Sequence, residues 1–443
     1  MSKKSTLLKK SYIFPINHAL CIALLIGIIT CLTTDCMGQG EYDHLTYETP
    51  GLLIASDVLP PELKSGKNYS VRGVTAPTEN TKTLGFTHRF EITSIYGNFE
   101  AFCIDMVRIR AHEINVIAVL QDIKKTRKFS KAVKKAKKSL YKKTVDFILD
   151  PVDTLTGVPK GGWRFITQSG EMVKGGAEGR ESSPANALGD FFKLKCRYAY
   201  KLGVDVYSTN KELQKELNSL SLAGFASGTE TSLLLTKAGK SAEGLMLKDA
   251  RNLKIITRSP FLDEIDKMLL DNTPDDLEII NREKLKQIVE ENYVIEGFLN
   301  HSDYSPRYKT IIVHALTNME GVNNRDNFIK QAILVDNDEI AFIYQRMVKM
   351  IYNYHKNVQP IVKIIPVSKM VANYTRDQAV IAALPIDNLY WSEVTDLFVS
   401  ELLKLPESED LPVTQVIMGI SGKATSQAKE VLTARGIVIK ESM

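Results

Sequence analysis

Tryptophan occurs twice in 443 residues, cysteine five times and histidine seven times. So few cysteines exclude a disulfide-dense mini-protein. The histidines show no spacing that would gather them on one metal ion. His112-Glu113 begins like a zinc-protease helix, but that motif needs a second histidine four residues on, where the chain has Val116. His88 sits between Phe86 and Phe90 on one strand face, as a core histidine would. No Gly-x-Ser-x-Gly elbow occurs. Gly419-Ile420-Ser421-Gly422-Lys423-Ala424-Thr425 follows a phosphate loop only in outline, because Ile417 and Ala424 occupy positions that need Gly and Ser or Thr. The acidic clusters at Asp271–Asp276 and Asp336–Glu339 lack the Gly and Glu of a calcium loop. They read as acids at helix N-termini, where the dipole favours them. Catalytic residues are therefore unassigned, and no metal or cofactor is expected.

What is present is ordinary in proportion, with 44% hydrophobic and 25% charged residues. That composition excludes a collagen, a wholly disordered chain and a multi-span membrane protein. The one long apolar run lies at the start. Lys3, Lys4, Lys9 and Lys10 precede Ala19–Leu32, a stretch without charge. A basic opening followed by such a run matches a secretory signal peptide, with cleavage after Gly38. The alternative is a retained inner-membrane anchor over residues 11–34, although Pro15, Asn17 and His18 make its first part a poor span. Lipidation at Cys31 is disfavoured by Thr30 directly before it. Export to the periplasm or cell envelope is the expected destination.

Without residues 1–38 the chain keeps 53 basic and 51 acidic residues. Cys103 and Cys196 are then the two remaining cysteines. An oxidising compartment permits one disulfide between them; otherwise they are two buried thiols.

Residues 84–95 alternate apolar and polar, the period of a half-buried strand. Tyr96-Gly97-Asn98 is a turn and Phe99–Cys103 the returning strand, with Tyr69–Val74 as a third. A helix is expected over Met106–Gln121. Helical patterns dominate from about 188 to 358, including one long helix over Asn327–His355 and another over Arg282–Leu299. The end changes character again. Ile361–Pro366, Met370–Tyr374, Ala379–Leu384, Gln415–Ile420 and Ile437–Lys440 read as strands. Thr375–Gln378 is a hairpin turn, and Ser392 caps a helix. The fold class is α+β: a small N-terminal β unit, a mainly helical middle and a C-terminal α/β module. The divisions are 1–38 (signal or anchor), 41–121 (β unit plus helix), 122–187 (basic helix and linker), 188–358 (helical) and 359–443 (α/β).

The strongest local feature is residues 124–143. Eleven of these twenty are basic and none is acidic: Lys124, Lys125, Arg127, Lys128, Lys131, Lys134, Lys135, Lys137, Lys138, Lys142 and Lys143. Phe129, Val133, Ala136 and Leu140 recur among them at helical spacing. A basic amphipathic helix of this kind suits contact with an anionic membrane surface or another polyanion. Nucleic acid could be held by the same charges but is disfavoured for an exported chain. The other reading is a solvated helix whose stripe packs on the protein itself.

Five stretches together resemble an uncharacterised family of exported bacterial proteins. They are Val58–Leu63, Tyr96–Ala101, Asp150–Gly161 (DPVDTLTGVPKG), Tyr200–Tyr207 and Pro385–Trp391. The resemblance runs over most of the chain and implies export and one shared architecture. It implies no catalytic residues.

The functional expectation is an envelope-associated interaction or scaffold protein with unidentified protein partners. The alternative is an envelope hydrolase with its site between the helical region and the C-terminal module. A deep polar cleft around Asp387, Tyr390 and Trp391 would favour the enzyme; a closed surface there would favour the scaffold.

Overall fold

In the computed structural model, residues 46–48, 59–74, 88–139, 184–227 and 260–443 are described. After a single helical turn, α1 (Pro61–Lys64), come β1 (Tyr69–Val74), β2 (Arg89–Ser94) and β3 (Gly97–Ala101). They form an antiparallel sheet in that order, with Gly97 at the hairpin in a left-handed conformation, φ 136°. Phe90, Ile92 and Ala101 point to its buried face. The strand expected from Leu84 is described only from Arg89.

Cys103 was expected to end a strand. It instead starts α2 (Ile104–Lys124), where its sulfur accepts the Met106 N–H at 3.4 Å. Three helices follow: α3 (Arg127–Ser139), α4 (Pro184–Leu202) and α5 (Lys211–Ser227). Their apolar faces share one core with α2, including Ile117, Leu120, Phe129, Phe192, Cys196, Leu213 and Leu217.

The rest of the helical middle comprises α6 (Pro260–Asp271), α7 (Pro274–Leu285), α8 (Asn292–Leu299), α9 (Pro306–Thr317), α10 (Asp326–Ala332) and α11 (Asp338–Asn357). Two helices that hydrophobic periodicity joined are divided here. Arg282–Leu299 is broken between α7 and α8. Thr273 caps α7 with Pro274 in its first turn, so that helix starts earlier than expected. Asn327–His355 is broken between α10 and α11, because the Asn337 side chain accepts the Ile340 N–H at 2.9 Å and starts a new helix.

The C-terminal sheet has the order β10-β8-β6-β5-β4. Here β4 (Ile361–Val367), β5 (Met370–Thr375) and β6 (Ala379–Leu384) form an antiparallel meander. The strands β8 (Gln415–Ile420) and β10 (Ile437–Lys440) add in parallel. Parallel addition needs crossovers, supplied by α12 (Glu393–Ser408) and α13 (Ser426–Ala434). The outer edge of β4 is covered by Asn323, whose N–H and C=O bond Val362 and Ile364 at 2.9 and 3.0 Å. A short parallel pair, β7 (Asn388–Leu389) with β9 (Lys423–Ala424), completes the α+β architecture.

Glu48–Met443 is one compact unit by its contacts, and all the elements above belong to it. Arg89 on β2 makes two bonds to Glu339 on α11, at 3.0 and 2.8 Å. Phe102 meets Phe342 edge-on, with ring centroids 5.5 Å apart. No helix among the described residues is long and apolar enough to cross a membrane. Residues 1–38, the expected signal or anchor, lie outside the described residues.

Candidate functional site

The basic segment does not form the single helix its spacing suggests. Lys124 ends α2, and Thr126 makes the joint to α3. The Thr126 hydroxyl donates to the Ile123 carbonyl at 2.7 Å and accepts the Phe129 N–H at 3.3 Å. One side chain thus closes one helix and opens the next.

The apolar stripe of α3 is used internally. Phe129, Ala132 and Ala136 are buried, and Val133 packs beside them, against Leu213, Leu217 and Leu220 of α5. The stripe therefore cannot also be inserted into a bilayer while α3 stays packed. This is the arrangement of the other reading, a solvated helix whose stripe packs on the protein itself. Leu140 lies outside the described residues.

The cations divide into three groups. Lys124 reaches the buried Glu216 on α5 at 3.0 Å, and Lys125 pairs with Asp122 at 2.8 Å. Arg127, Lys128, Lys131, Lys134, Lys135 and Lys138 are exposed on α3 and have no acidic partner within ion-pair distance among the described residues. At about 100° per residue they fall within one arc of about 120°, opposite the buried stripe. They span about 16 Å of helix axis. Lys137 lies within α3, and Lys142 and Lys143 fall outside the described residues.

Charge is divided unevenly along the chain. Residues 104–139 and 184–227, which build α2 to α5, hold 17 basic and 7 acidic side chains, a net +10. Residues 260–443 hold 19 basic and 27 acidic, a net −8. Such separation creates a field that orients the molecule as it approaches a charged surface.

Asp387, Tyr390 and Trp391 mark the place where a deep polar cleft would favour an enzyme. All three residues are buried, Asp387 at 8% exposure. Their polar groups have structural partners. The Asp387 carboxylate accepts the Ile104 N–H at 3.0 Å, and its carbonyl accepts the Lys423 N–H at 3.2 Å. Burial pushes the Asp387 carboxyl up to about 7, although hydrogen bonds from Ile104 and His88 and the charge of Arg346 oppose this. Trp391 is bracketed by Glu48: its N–H donates to the Glu48 carboxylate at 2.5 Å and its carbonyl accepts the Glu48 N–H at 2.7 Å. The guanidinium of Arg435 stacks over its ring at 5.1 Å.

The loop that resembled a phosphate site is a tight βα turn. Thr425 caps α13 by accepting the Ala428 N–H at 3.1 Å, and it donates to Glu48 at 2.8 Å. The anion beside this helix start is thus the protein's own carboxylate. Gly422 is needed there, because a Cβ would lie 1.9 Å from the Asp387 carbonyl oxygen. An open groove of about 410 Å³ runs beside α13 and β10, lined by Lys429, Thr433, Ile437, Val438, Ile439 and Glu441. It holds no histidine, cysteine or serine.

His112 and Glu113 are both buried. The His112 Nε2 lies 3.0 Å from the Leu202 carbonyl. Glu113, 1% exposed, accepts from Arg110 at 2.7 Å, Ser208 at 2.5 Å and Asn210 at 2.9 Å. It fixes the loop between α4 and α5. Sequence reasoning missed this hub, since Ser208 and Asn210 lie more than 90 residues away. The only local sign was a polar-turn sequence, Ser208-Thr209-Asn210, ahead of a helix.

Cys103 and Cys196 are separate free thiols, so the disulfide alternative is not formed. Burial pushes the Cys196 thiol up to about 12 and the Cys103 thiol well above its ordinary value. Both are protonated and unreactive at neutral pH. Among the described residues no group of three or more metal-ligating side chains converges.

Compared with protein-family models, curated proteins and solved structures, the chain matches none.

Proposed function

We propose that this chain is an exported, envelope-associated scaffold protein that adsorbs to an anionic membrane surface through α3. The observation that carries this reading is the division of α3 into two faces. Its apolar stripe is spent on the protein core, and its six exposed cations have no ion-pair partner among the described residues. A helix of this kind binds by charge and does not insert. Each Lys or Arg near an anionic leaflet contributes about 1 kcal/mol, and the attraction falls off within about a Debye length, roughly 10 Å at 0.1 M salt. Six such charges act together only when the surface presents anions over the full length of the helix. Nucleic acid fits the charges but not the expected compartment.

The test is co-sedimentation with vesicles of phosphatidylcholine, with and without 30% phosphatidylglycerol as an anionic fraction. Wild type sediments with the anionic vesicles at low salt and is released at high salt. The Lys128→Gln/Lys131→Gln/Lys135→Gln variant sediments less at every salt concentration. Equal sedimentation of the two proteins, or equal binding to neutral vesicles, overturns the reading.

A further inference from the structure

We infer that α4 carries a second contact face for anionic phospholipid headgroups, formed by Lys193, Arg197, Tyr200 and Lys201. This rests on the reading of α3 above and extends it to a surface that the basic run does not include.

The four positions follow i, i+4, i+7 and i+8, so they form one stripe on the helix. Lys193, Arg197 and Lys201 are exposed, and Tyr200 stands among them at 39% exposure. The rest of the helix looks inward: Phe191, Phe192, Cys196, Tyr198, Ala199 and Leu202 are buried. Several of these share a core cluster with Phe129 and Ala132 of α3. The two cationic stripes therefore belong to one packed helical unit.

Exposed cations on the other helices are of both kinds: Lys211, Lys267, Lys356 and Lys404 make no ion pair among the described residues, whereas others are paired within their helix. Lys215 pairs with Glu212, Arg282 with Glu278, Lys286 with Glu283 and Lys330 with Asp326, each three or four residues away. On α4 the exposed cations have no such partner among the described residues, although the Asp276 carboxylate of α7 lies near enough to Lys193 to feel its charge. The one acidic residue of the helix, Asp190, makes no ion pair with Lys193 among the described residues. Both α3 and α4 sit in the segments whose net charge is +10, so their exposed cations lie in a positive field.

The aromatic residue points to a lipid surface rather than a rigid polyanion. A tyrosine has an apolar ring and a polar tip, which suits the headgroup level of a bilayer. Flanking cations would hold the phosphates on either side of it.

The experiment uses the full chain and the same neutral and 30% phosphatidylglycerol vesicles. Three variants are compared with wild type: Lys128→Gln/Lys131→Gln/Lys135→Gln on α3, Lys193→Gln/Arg197→Gln/Lys201→Gln on α4, and Tyr200→Trp as a fluorescent reporter. All the substituted side chains are exposed, so thermal melts should match wild type and separate lost binding from lost folding. The expected result is about a tenfold weaker affinity for the α4 variant, a shallower dependence on salt, and a blue shift of Trp emission in Tyr200→Trp on anionic vesicles only. If wild type and the α4 variant bind equally while the α3 variant is impaired, this inference falls and the α3 reading stands. If wild type fails to bind anionic vesicles, the α3 reading falls and takes this inference with it. Binding of wild type to double-stranded DNA but not to vesicles also overturns both.

Discussion

The Asp387 carboxylate accepts the main-chain N–H of Ile104 at 3.0 Å, joining the turn after β6 to the first turn of α2 across 283 residues of sequence. The carboxyl is buried, with the Asp105 and Arg346 charges near it, and it titrates at about 7. Its folded value is raised above the ordinary 3.8, so the folded state holds this proton more tightly than the unfolded state. Its contribution is full below about pH 4 and declines as pH rises to about 7. Asp387→Asn removes that slope while keeping an oxygen that can accept from Ile104. Relative to wild type, the variant should gain about 2–4 kcal/mol between pH 4 and pH 8. Urea unfolding of both proteins across that range measures it; parallel curves would refute the assignment.

Gly422 lies against the same residue. A methyl group there would collide with the Asp387 carbonyl, and the nearest atoms are all main-chain atoms of Ile386 and Asp387 rather than a flexible side chain that could move away. Gly422→Ala should cost about 2–4 kcal/mol through displacement of the β7–β9 pair. A melting temperature within a degree of wild type would show that the turn relaxes freely.

The pair between Lys124 and the buried Glu216 attaches the end of α2 to α5. Removing the lysine strands a carboxylate inside the protein, whereas removing both charges does not. Lys124 is about one-third exposed, which reduces the cost. Lys124→Met should cost about 1–3 kcal/mol, and Glu216→Gln in the same chain should recover much of it. A double-mutant cycle reads the difference, and simple additivity would argue against coupling.

His314 is 2% exposed on α9, and neither ring nitrogen has a hydrogen-bond partner among the described residues. Burial, helped by the Lys284 charge, brings it down to about 4. Its folded value is depressed below 6.5, so the imidazole stays neutral in the fold while the unfolded chain takes up a proton. Stability is lost as pH falls from about 6.5 toward 4. His314→Leu should flatten the profile in that window and leave pH 8 little changed. Imidazole resonances followed by NMR would show directly whether the ring remains neutral at pH 5.

Much of the local structure was legible before any packing was known. Gly97 and Thr375–Gln378 turn where their types predict, and Ser392 caps α12 by accepting the Thr395 N–H at 3.2 Å. Gly436 ends α13 with φ 76°, a conformation that costs glycine little. Misreadings arose where a polar side chain competed with hydrophobic periodicity. Asn337 and Thr126 each start a helix in the middle of a run that looked continuous. Cys103 alternates like a strand residue yet serves as a cap.

The candidate site was half legible. Period and composition placed the cations on one face of a helix, since helical spacing and charge are both local properties. They could not say what covers the opposite face. Leu213 and Leu217, which meet Phe129, lie more than eighty residues further along. The second stripe on α4 went unnoticed because four cations in a nineteen-residue helix, one of them the buried Lys195, do not stand out in sequence. Three of them became informative only once they were seen to be exposed together along one stripe with Tyr200.

The sequence by itself determined the element order, the turns, the caps and the one-sided distribution of lysines. Each of these depends on backbone preferences and spacing within a few residues. Tertiary structure alone decided that the α3 stripe faces inward, that Cys103 and Cys196 stay apart, that Glu113 organises a distant loop, and that Asp387 is closed in. All four outcomes depend on which side chains meet after the chain has folded back on itself, and burial and pairing are set only there.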